Sequence, residues 1–404
     1  MARRILILLL ALLPCLGLAA TPDHLFSLIN QRLGLMQGVA TSKWHNHLPI
    51  EDAAREKVVL DSAATAALRH GLKPESTRAF FNAQIEAAKT IEHYWFDKYR
   101  AGMNPGPAPD LRKIIRPQLI DLGNRITQTL ADLPNGVSPL WQQRFLDAVN
   151  VEGLKESDKL AIFKALTFVK HFANRLQQIR ETGELRVGTT GDYAPFSLAT
   201  GSGYSGIDID MANDLAKALG VRLVIVKTSW PHLIDDLAAG RYDIAMSGVS
   251  RNTSRENVGF FSLPYYEGGK AAIARCADAK KYSSLKDIDK AGVRVIVNPG
   301  GTNEKYVKQE IHHATVIVFD DNTKIFDELV NRHADVMVTD AIEVKLQALR
   351  HKSLCATMPG KTLTYLDKAY LMPQDPVLKT YVDNWLDLRI KEGVVAKAFA
   401  AHLK

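Results

Sequence analysis

Two kinds of hydrophobic periodicity divide the chain. Over residues 23–184 apolar residues recur at helical spacing, as in Leu25, Ile29 and Leu33. Farther along, short β-branched runs alternate with helical segments. These runs occupy residues 185–189, 222–227, 244–247, 293–298, 315–319 and 336–339. The first pattern predicts an all-helical bundle, and the second predicts an α/β domain with parallel sheets. The boundary is expected within residues 180–183.

Length and composition support two folded domains. A chain of 404 residues exceeds what one hydrophobic core usually organises, and 46% hydrophobic with 24% charged residues is typical of folded protein. We expect domains over residues 21–180 and 181–404. The formal charge of +7 favours anionic ligands. No long basic run is interleaved with aromatic residues, so a nucleic-acid partner is not expected.

The first twenty residues have the layout of a secretory signal peptide. Arg3 and Arg4 precede an apolar run over residues 5–13, and small residues follow at positions 17, 19 and 20. A membrane anchor is the alternative, but the run is too short to cross a bilayer comfortably. We expect export to the periplasm or the medium, with Cys15 removed and no membrane association after cleavage. Loss of the two arginines lowers the charge from +7 to +5.

Cys276 and Cys355 are the cysteines of the expected mature chain. Their number is even, their expected compartment is oxidising, and each directly follows a stretch that the pattern predicts to be structured. This favours a disulfide between them. Two buried free thiols are the alternative that the sequence leaves open.

Arg32 and Lys43 lie eleven residues apart on what the pattern predicts to be one helix. At about 100° per residue, eleven steps exceed three full turns by only about 20°, so both side chains share a face. A solvated basic stripe is the usual explanation of such a pair. The spacing alone leaves that explanation open.

The residues around this pair resemble the secreted, all-helical (gamma-class) chorismate mutases of type II. The resemblance covers nearly all of residues 22–180. It is carried by Gln31-Arg32-Leu33, Thr41-Ser42-Lys43-Trp44, Leu48-Pro49-Ile50-Glu51-Asp52-Ala53-Ala54-Arg55 and Gln84-Ile85-Glu86-Ala87-Ala88-Lys89-Thr90-Ile91-Glu92. It implies a pericyclic conversion of chorismate to prephenate, which needs positioning and charge stabilisation but no nucleophile.

The same resemblance implies roles for four residues. Arg32 and Arg55 take the positions of carboxylate clamps. Lys43 takes the position of the donor to the substrate's ether oxygen. Glu92 takes the position from which these enzymes hydrogen-bond the same oxygen, which a carboxyl group can do only when protonated. A raised pKa is therefore expected for Glu92.

Two positions depart from the mutase pattern. Ala88, in the substrate-binding set, stands where some members have a polar residue one turn before Glu92. The family's further pocket arginine maps to Arg116 with a one-residue shift, and Arg125 competes for the role. Nine residues of helix turn about 900°, half a turn out of phase, so one helix cannot aim both at one pocket. Arg116 is preferred, although the neighbouring Pro117 disturbs an ordinary helix interior.

The second half resembles the periplasmic amino-acid-binding proteins. The resemblance begins with Gly188-Thr189-Thr190-Gly191-Asp192-Tyr193-Ala194-Pro195-Phe196 and Gly206-Ile207-Asp208-Ile209-Asp210-Met211-Ala212 and runs to the end of the chain. It implies two α/β lobes that close over a small polar ligand. Crossings between lobes are expected near residues 268–274 and 368–373. Lobe 1 then takes about 183–270 and 374–404, and lobe 2 about 274–370.

Several positions match the ligand-holding pattern of those proteins. Arg255 is expected to pair with a carboxylate, and Asp340 takes the position that holds an α-amino group. Tyr193 and Trp230 are expected aromatic walls, although a tryptophan is as often plain core. The remaining substrate-binding candidates are Ser247, Ser250, Gly301, Thr302 and Asn303.

Glu304 lies in Asn298-Pro299-Gly300-Gly301-Thr302-Asn303-Glu304-Lys305, at a helix start whose N–H groups can hold an anion. An acid there is a general-acid candidate, or it merely favours the helix N-terminus. With Thr228-Ser229-Trp230-Pro231, Met246-Ser247-Gly248 and Thr339-Asp340-Ala341-Ile342-Glu343, the stretch resembles the exported cyclohexadienyl dehydratases. The resemblance implies Glu304 as proton donor in prephenate dehydration.

Together the two resemblances imply a bifunctional enzyme, because the product of the first reaction, prephenate, is the substrate of the second. The expected small-molecule partners are chorismate, prephenate and, through Asp340, arogenate. No cofactor and no metal are expected, and a homodimer is expected only by analogy with helical mutases. The rival interpretation is a transport or sensing receptor that binds an amino acid and carries an inactive helical module.

Overall fold

The computed structural model describes residues 21–133 and 135–403. The predicted signal peptide and Cys15 therefore lie outside the described residues. Two compact units divide after His171. The first is a helical bundle and the second a two-lobed α/β unit, which confirms the predicted fold class.

The helices of the first unit pack around one hydrophobic core. They are α1 (Pro22–Gly34), α2 (Met36–His45), α3 (Ala53–Arg69), α4 (Pro74–Arg100), α5 (Arg116–Ala131), α6 (Gln142–Ala148) and α7 (Glu156–Thr167). A π-helical turn, Leu111–Ile115, precedes α5, and a 3₁₀ turn, Pro139–Trp141, precedes α6. The long helix α4 buries one stripe of its surface, including Phe80, Ala87 and Ile91, at helical spacing.

Arg32 and Lys43 lie on two successive helices rather than on the single predicted one. The helices α1 and α2 meet at Leu35, whose φ of −71° and ψ of −12° remain in the right-handed helical region. Because the backbone continues with nearly helical dihedrals, the break leaves the two cations on the same side. Thr21 caps the first of these helices by accepting a hydrogen bond from the His24 N–H at 3.2 Å.

The second unit begins with a helix that the sequence pattern predicts in the first domain. This helix, α8 (Arg175–Thr182), buries Leu176 and Ile179 in the core of the second unit. The Arg175 N–H also donates to the carboxylate of Asp375. The division between the units therefore falls earlier than residues 180–183, because burial of these two side chains ties the helix to the α/β unit.

Over its described residues, 172–403, the second unit contains further helices and fifteen strands. The helices are α9 (Ile207–Leu219), α10 (Leu233–Ala238), α11 (Thr253–Glu256), α12 (Leu285–Ile288), α13 (Thr302–Glu310), α14 (Ile325–Val330), α15 (Ala341–Arg350), α16 (Pro376–Lys391) and α17 (Val394–His402). The strands are β1 (Glu184–Thr189), β2 (Asp192–Tyr193), β3 (Ser197–Thr200), β4 (Gly203–Ser205), β5 (Arg222–Lys227), β6 (Ile244–Ala245), β7 (Phe260–Phe261), β8 (Tyr266–Gly268), β9 (Lys270–Arg275), β10 (Arg294–Val297), β11 (Thr315–Val318), β12 (Val336–Asp340), β13 (Leu354–Ala356), β14 (Leu366–Lys368) and β15 (Leu371–Met372).

Each lobe is built on a five-stranded sheet. The strand orders are β5-β1-β6-β15-β7 in lobe 1 and β11-β10-β12-β9-β13 in lobe 2. The strands that the sequence predicts pair in parallel within each sheet, β1 with β5 and β6, and β10 with β11 and β12. The strands β9 and β15, which follow the crossings, run antiparallel to β12 and β6. The sheets are therefore mixed rather than parallel.

The two crossings between lobes form a small ribbon. Strand β8 pairs antiparallel with β14, so the chain leaves lobe 1 and returns to it side by side. The predicted crossings lie slightly too far along the chain, because residues 270–275 already form β9 and residues 371–372 already form β15. Both crossings place a lysine at the lobe junction: Lys270 begins β9, and Lys368 ends β14.

The predicted disulfide between Cys276 and Cys355 is present in lobe 2. It joins the end of β9 to its edge partner β13, across a sequence separation of 79 residues. Among residues 21–133 and 135–403, no helix has the length and apolar character that crossing a membrane requires.

We expect the double substitution Cys276→Ser and Cys355→Ser to lower the free energy of unfolding of the second unit by about 4 kcal/mol, since the cross-link restricts a long loop in the unfolded chain. Hydrogen exchange at the β12 amides of the intact protein measures this loss. Amides of α4 in the first unit serve as the internal control and should be unaffected. Equal exchange of β12 in both proteins would contradict the prediction.

Candidate active sites

A cavity of about 230 Å³ lies in the first unit between α1, α2, α3, α4 and α5. Its lining contains every substrate-binding and catalytic residue predicted for the helical half: Arg32, Lys43, Arg55, Ala88, Glu92 and Arg116. Arg125 does not line the cavity; it is partly exposed and lies 3.5 Å from Asp121 on the same helix. The structure therefore brings the preferred arginine, and not its competitor, to the site.

Lys43 and Glu92 form a buried pair on one wall. Lys43 Nζ lies 2.7 Å from Glu92 Oε2 and donates to the Ile50 carbonyl at 2.6 Å. Burial raises the pKa of Glu92, and the charge of Lys43 only partly offsets this. Apart from the ion pair with Lys43, Glu92 Oε2 has no hydrogen-bond partner among the described residues. The pair thus presents an ammonium and a readily protonated carboxyl group side by side.

Arg32 is a buried cation with spare donors. Its side chain lies over the ring of Phe81 at 5.6 Å, and Nη1 donates to Gln84 Oε1 at 3.4 Å. Burial lowers its pKa to about 10, so the guanidinium remains charged at neutral pH. Within residues 21–133 and 135–403, Arg32 Nε has no hydrogen-bond partner. A carboxylate in the cavity would satisfy this donor.

Arg55 and Arg116 both line the cavity and are partly buried. Asp52 caps α3 by accepting from the Arg55 N–H at 3.0 Å, which fixes the start of the helix that carries this arginine. Burial and the charge of Arg116 lower the pKa of Arg55, so the two cations are close enough to repel each other. Pro117 lies in the first turn of α5, where the missing N–H is tolerated.

In the second unit the lobes meet around the buried carboxylate of Asp340. Lys270 Nζ donates to Asp340 Oδ1 at 2.7 Å, and Lys368 Nζ donates to Oδ2 at 2.5 Å. The Tyr193 hydroxyl, from lobe 1, also donates to Oδ2. Burial alone would raise the pKa of Asp340, but the two ammonium groups outweigh it and lower that pKa below its usual range. Asp340 is therefore ionised and already surrounded by donors.

The predicted residues of lobe 1 surround this cluster. Ser250 Oγ accepts from Lys368 Nζ at 2.9 Å, and the Ser250 carbonyl accepts from Arg255 at 2.9 Å. Burial lowers the pKa of Arg255 to about 10. Ser247 belongs to a different hydrogen-bond network: its hydroxyl accepts from the Thr190 N–H at 3.1 Å and contacts the Ser197 hydroxyl at 2.7 Å.

The predicted aromatic pair and the glycine-rich loop that precedes α13 lie beside the Asp340 cluster. The rings of Tyr193 and Trp230 meet edge to face at 5.7 Å, and Trp230 Nε1 donates to Asp192 at 3.1 Å. Lys270 donates to the Thr302 hydroxyl at 2.8 Å and to the Asn303 side chain. Gly301 immediately precedes the helix that begins with Thr302, and lies against Trp230.

Comparison with known proteins assigns both units. Residues 20–93 match the family Chorismate mutase type II, and residues 185–404 match the Bacterial extracellular solute-binding proteins, family 3. A secreted chorismate mutase of Yersinia pestis is 34% identical over 150 residues, which cover 35% of this chain and 78% of that protein. A cyclohexadienyl dehydratase of Pseudomonas aeruginosa is 48% identical over 223 residues, 55% of this chain and 83% of that protein.

The chain belongs to the type II chorismate mutases through its first unit and to the family 3 solute-binding proteins through its second. Among solved structures, the ancestral amino acid-binding protein AncCDT-1, a precursor of cyclohexadienyl dehydratase, is 35% identical with a TM-score of 0.53. That match covers 57% of this chain and 100% of the ancestral one. The two parts are called the mutase unit and the solute-binding unit below.

Glu304 does not have the surroundings of a general acid in the solute-binding unit. Its carboxylate lies 2.6 Å from Lys308 Nζ and accepts from the Gly300 N–H at 2.7 Å. The ion pair with Lys308 and this hydrogen bond lower the pKa of Glu304, so it is ionised at neutral pH. This arrangement fits the alternative that Glu304 merely favours the N-terminus of α13, and its role as proton donor stays a prediction.

Glu343 has the properties expected of that acid, although the sequence pattern did not single it out. It lies in the first turn of α15, is only 2% exposed, and accepts a hydrogen bond from the Thr339 hydroxyl. Burial raises its pKa to about 8, to which the nearby charge of Asp340 contributes. Asn303 donates to the Thr339 oxygen at 3.0 Å, which connects Glu343 to the cleft. The signal that could have identified it is an acid shortly after a strand of wholly buried residues.

The mutase cavity is also lined by three charged residues that were not predicted as site residues: Asp52, Glu56 and Lys89. Glu56 and Lys89 form an ion pair at 3.0 Å, and both line the cavity. Glu56 directly follows Arg55, and Lys89 lies three residues, about one helical turn, before Glu92. The side chain at Ala88 contributes only a methyl group, so this pair supplies polarity to the neighbouring wall.

We expect an infrared band of a protonated buried carboxyl group that disappears as the pH rises through about 8, because Glu343 releases its proton there. Since unfolded Glu343 ionises near pH 4.5, its burial favours the folded state at low pH, and this contribution is lost as the pH rises through about 8. Difference spectroscopy of Glu343→Gln should lack this band. Asp208→Asn is the control, because the pKa of buried Asp208 is raised to about 7 and its band should titrate earlier. A band unchanged in Glu343→Gln would assign the proton elsewhere.

Proposed function

We propose that this protein converts chorismate to prephenate in the mutase unit and prephenate to phenylpyruvate in the solute-binding unit. The observation that carries the second activity is the buried acid Glu343, whose pKa is raised to about 8, near the lysines that surround Asp340, in a unit 48% identical to a cyclohexadienyl dehydratase. The 34% identity to a secreted chorismate mutase supports the first activity. The first product is the second substrate, which accounts for both units in one chain.

In the mutase unit the substrate is a dianion that must fold so that a carbon–carbon bond forms while the ether bond breaks. Arg32, Arg55 and Arg116 bind the two carboxylates and restrict the substrate to the reactive conformation. Negative charge develops on the ether oxygen during the reaction. Lys43 and protonated Glu92 donate hydrogen bonds to that oxygen and stabilise the transition state.

In the solute-binding unit prephenate loses its ring hydroxyl and its ring carboxylate. The carbon–carboxylate bond breaks, carbon dioxide leaves, and the electron pair completes the aromatic ring as the carbon–oxygen bond breaks. Glu343 donates its proton to the departing hydroxyl, which leaves as water. A pKa near 8 keeps the acid protonated at neutral pH while leaving it a competent donor.

The charge of the cleft fits a dianion better than an amino acid. Lys270, Lys368 and Arg255 carry positive charge around the ionised carboxylate of Asp340, so positive charge is in excess within this cluster. Both oxygens of Asp340 already accept hydrogen bonds from the lysines. The α-ammonium group of arogenate would have to displace one of them. We therefore propose prephenate as the preferred substrate and arogenate as a weaker one.

Export and a dimeric state belong to the same proposal. A signal peptide over residues 1–20 is supported by the secreted relatives and by the disulfide, which favours an oxidising compartment. A homodimer is proposed only by analogy with other helical mutases. Neither small-molecule reaction as written uses a cofactor or a metal.

Addition of chorismate to the purified mature protein should yield phenylpyruvate, identified by chromatography and mass spectrometry. In Glu343→Gln we expect prephenate to accumulate, with dehydration slowed at least about a hundredfold, since the proton donor is lost. Glu304→Gln is the matched control and should still form phenylpyruvate within about threefold of the normal rate, because a partly exposed ion pair contributes little. Binding of prephenate without turnover by the unsubstituted protein would instead support a receptor.

The kcat/KM for chorismate should fall as the pH rises through the raised pKa of Glu92, because only the protonated carboxyl group donates to the ether oxygen. Glu92→Gln keeps a donor at every pH and should flatten this fall. Glu86→Gln, at an exposed acid on the same helix, should retain the normal profile. A pH profile that Glu92→Gln leaves unchanged would disprove the role of Glu92.

A further inference from the structure

The π-helical turn Leu111–Ile115 directly precedes the helix that carries Arg116. The Arg116 N–H donates to the Leu111 carbonyl five residues earlier, and the Ile115 N–H donates to the Asp110 carbonyl at 3.2 Å. Asp110 starts the turn, since its side chain accepts from the N–H groups of residues 112 and 113 at 2.8 and 2.9 Å. Such turns are rare and are often found at functional sites.

The turn changes which residues face the mutase cavity. Along α5 the lining residues follow α-helical spacing: Arg116, Leu119, Ile120, Gly123, Asn124 and Thr127. Continued backward by three or four residues, the same spacing would place Lys113 or Arg112 on this face. Instead Leu111 lines the cavity, and both Arg112 and Lys113 are exposed.

Pro117 supplies a physical cause for the turn. Proline has no N–H, and its ring clashes with the carbonyl four residues earlier in an α-helix, here that of Lys113, at a cost of about 3 kcal/mol. A wider turn avoids this clash and gives the Arg116 N–H another acceptor. Ile115 anchors the turn: it is 5% exposed, and a Cβ at Gly38 of α2 would lie 3.1 Å from its Cδ1.

We propose that Pro117 and the π-helical turn are positioning elements of the mutase site, which admit Arg116 and keep Arg112 and Lys113 outside. The inference rests on the proposed mutase function. Arg55 and Arg116 already repel each other in the cavity lining, so a third cation there would add repulsion and displace the apolar wall formed by Leu111.

The test compares Pro117→Ala with the same substitution combined with deletion of Ile114, an exposed residue of the turn. Alanine removes the clash and allows an α-helical register, which rotates the preceding turn. We expect Pro117→Ala to keep or raise the melting temperature while lowering kcat/KM for chorismate between about tenfold and a hundredfold, mainly through KM. Deletion of Ile114 replaces five residues by four, so the double variant should recover most of the activity.

Prephenate dehydration by the same molecules is the internal control and should be unchanged in both variants. Unaltered kcat/KM for chorismate in Pro117→Ala would overturn the inference, as would parallel losses of stability and activity. Failure of the deletion to restore activity in a folded double variant would also overturn it. Absence of mutase turnover in the unsubstituted protein would instead refute the proposed function, so the two failures are distinguishable.

Discussion

The buried carboxylate of Asp340 is the interaction on which the solute-binding unit depends. It accepts hydrogen bonds from Tyr193 of lobe 1, from Lys270 at the start of β9 and from Lys368 at the end of β14. Removal of this one carboxylate would leave two ammonium groups buried without a counter-charge, which is strongly destabilising. The same negative charge favours the protonated form of Glu343. This ion cluster therefore joins the two lobes and contributes to the raised pKa of Glu343.

In the mutase unit, by contrast, a buried cation has a hydrogen-bond donor without an acceptor among the described residues. Arg32 is almost fully buried, yet within the described ranges its Nε has no acceptor. Burial of such a cation costs folding free energy, and in the proposed reaction the substrate's carboxylate recovers this cost on binding. Lys43 has a partner in Glu92, but burial favours the protonated form of that partner. In each unit burial raises the pKa of a carboxyl group that lies near lysine side chains, Glu92 beside Lys43 and Glu343 near Lys270 and Lys368.

The sequence predicted most of the fold and the whole set of mutase candidates, but it did not indicate that Glu304 is ion-paired or that Glu343 is buried. Helical spacing and strand runs are local signals, and the mutase motifs are short and specific. Glu304 was selected because it lies beside a glycine-rich anion loop, which is a property of sequence position. Its ion pair with Lys308 and the burial of Glu343 depend on tertiary packing, which periodicity does not report. The break at Leu35 and the π-helical turn before Arg116 are likewise single-residue deviations within helical patterns.

The ribbon formed by β8 and β14 joins the lobes next to the buried ion pairs of Asp340. Tyr193 of lobe 1 donates to the Asp340 carboxylate of lobe 2, which also accepts from Lys270 and Lys368 at the two crossings. A separation of the lobes would therefore break the Tyr193 hydrogen bond and admit water to three charged groups that are buried in the closed arrangement. Hydration of these charges favours separation, whereas a ligand bound between the lobes favours closure, so water and ligand act on the same motion in opposite directions.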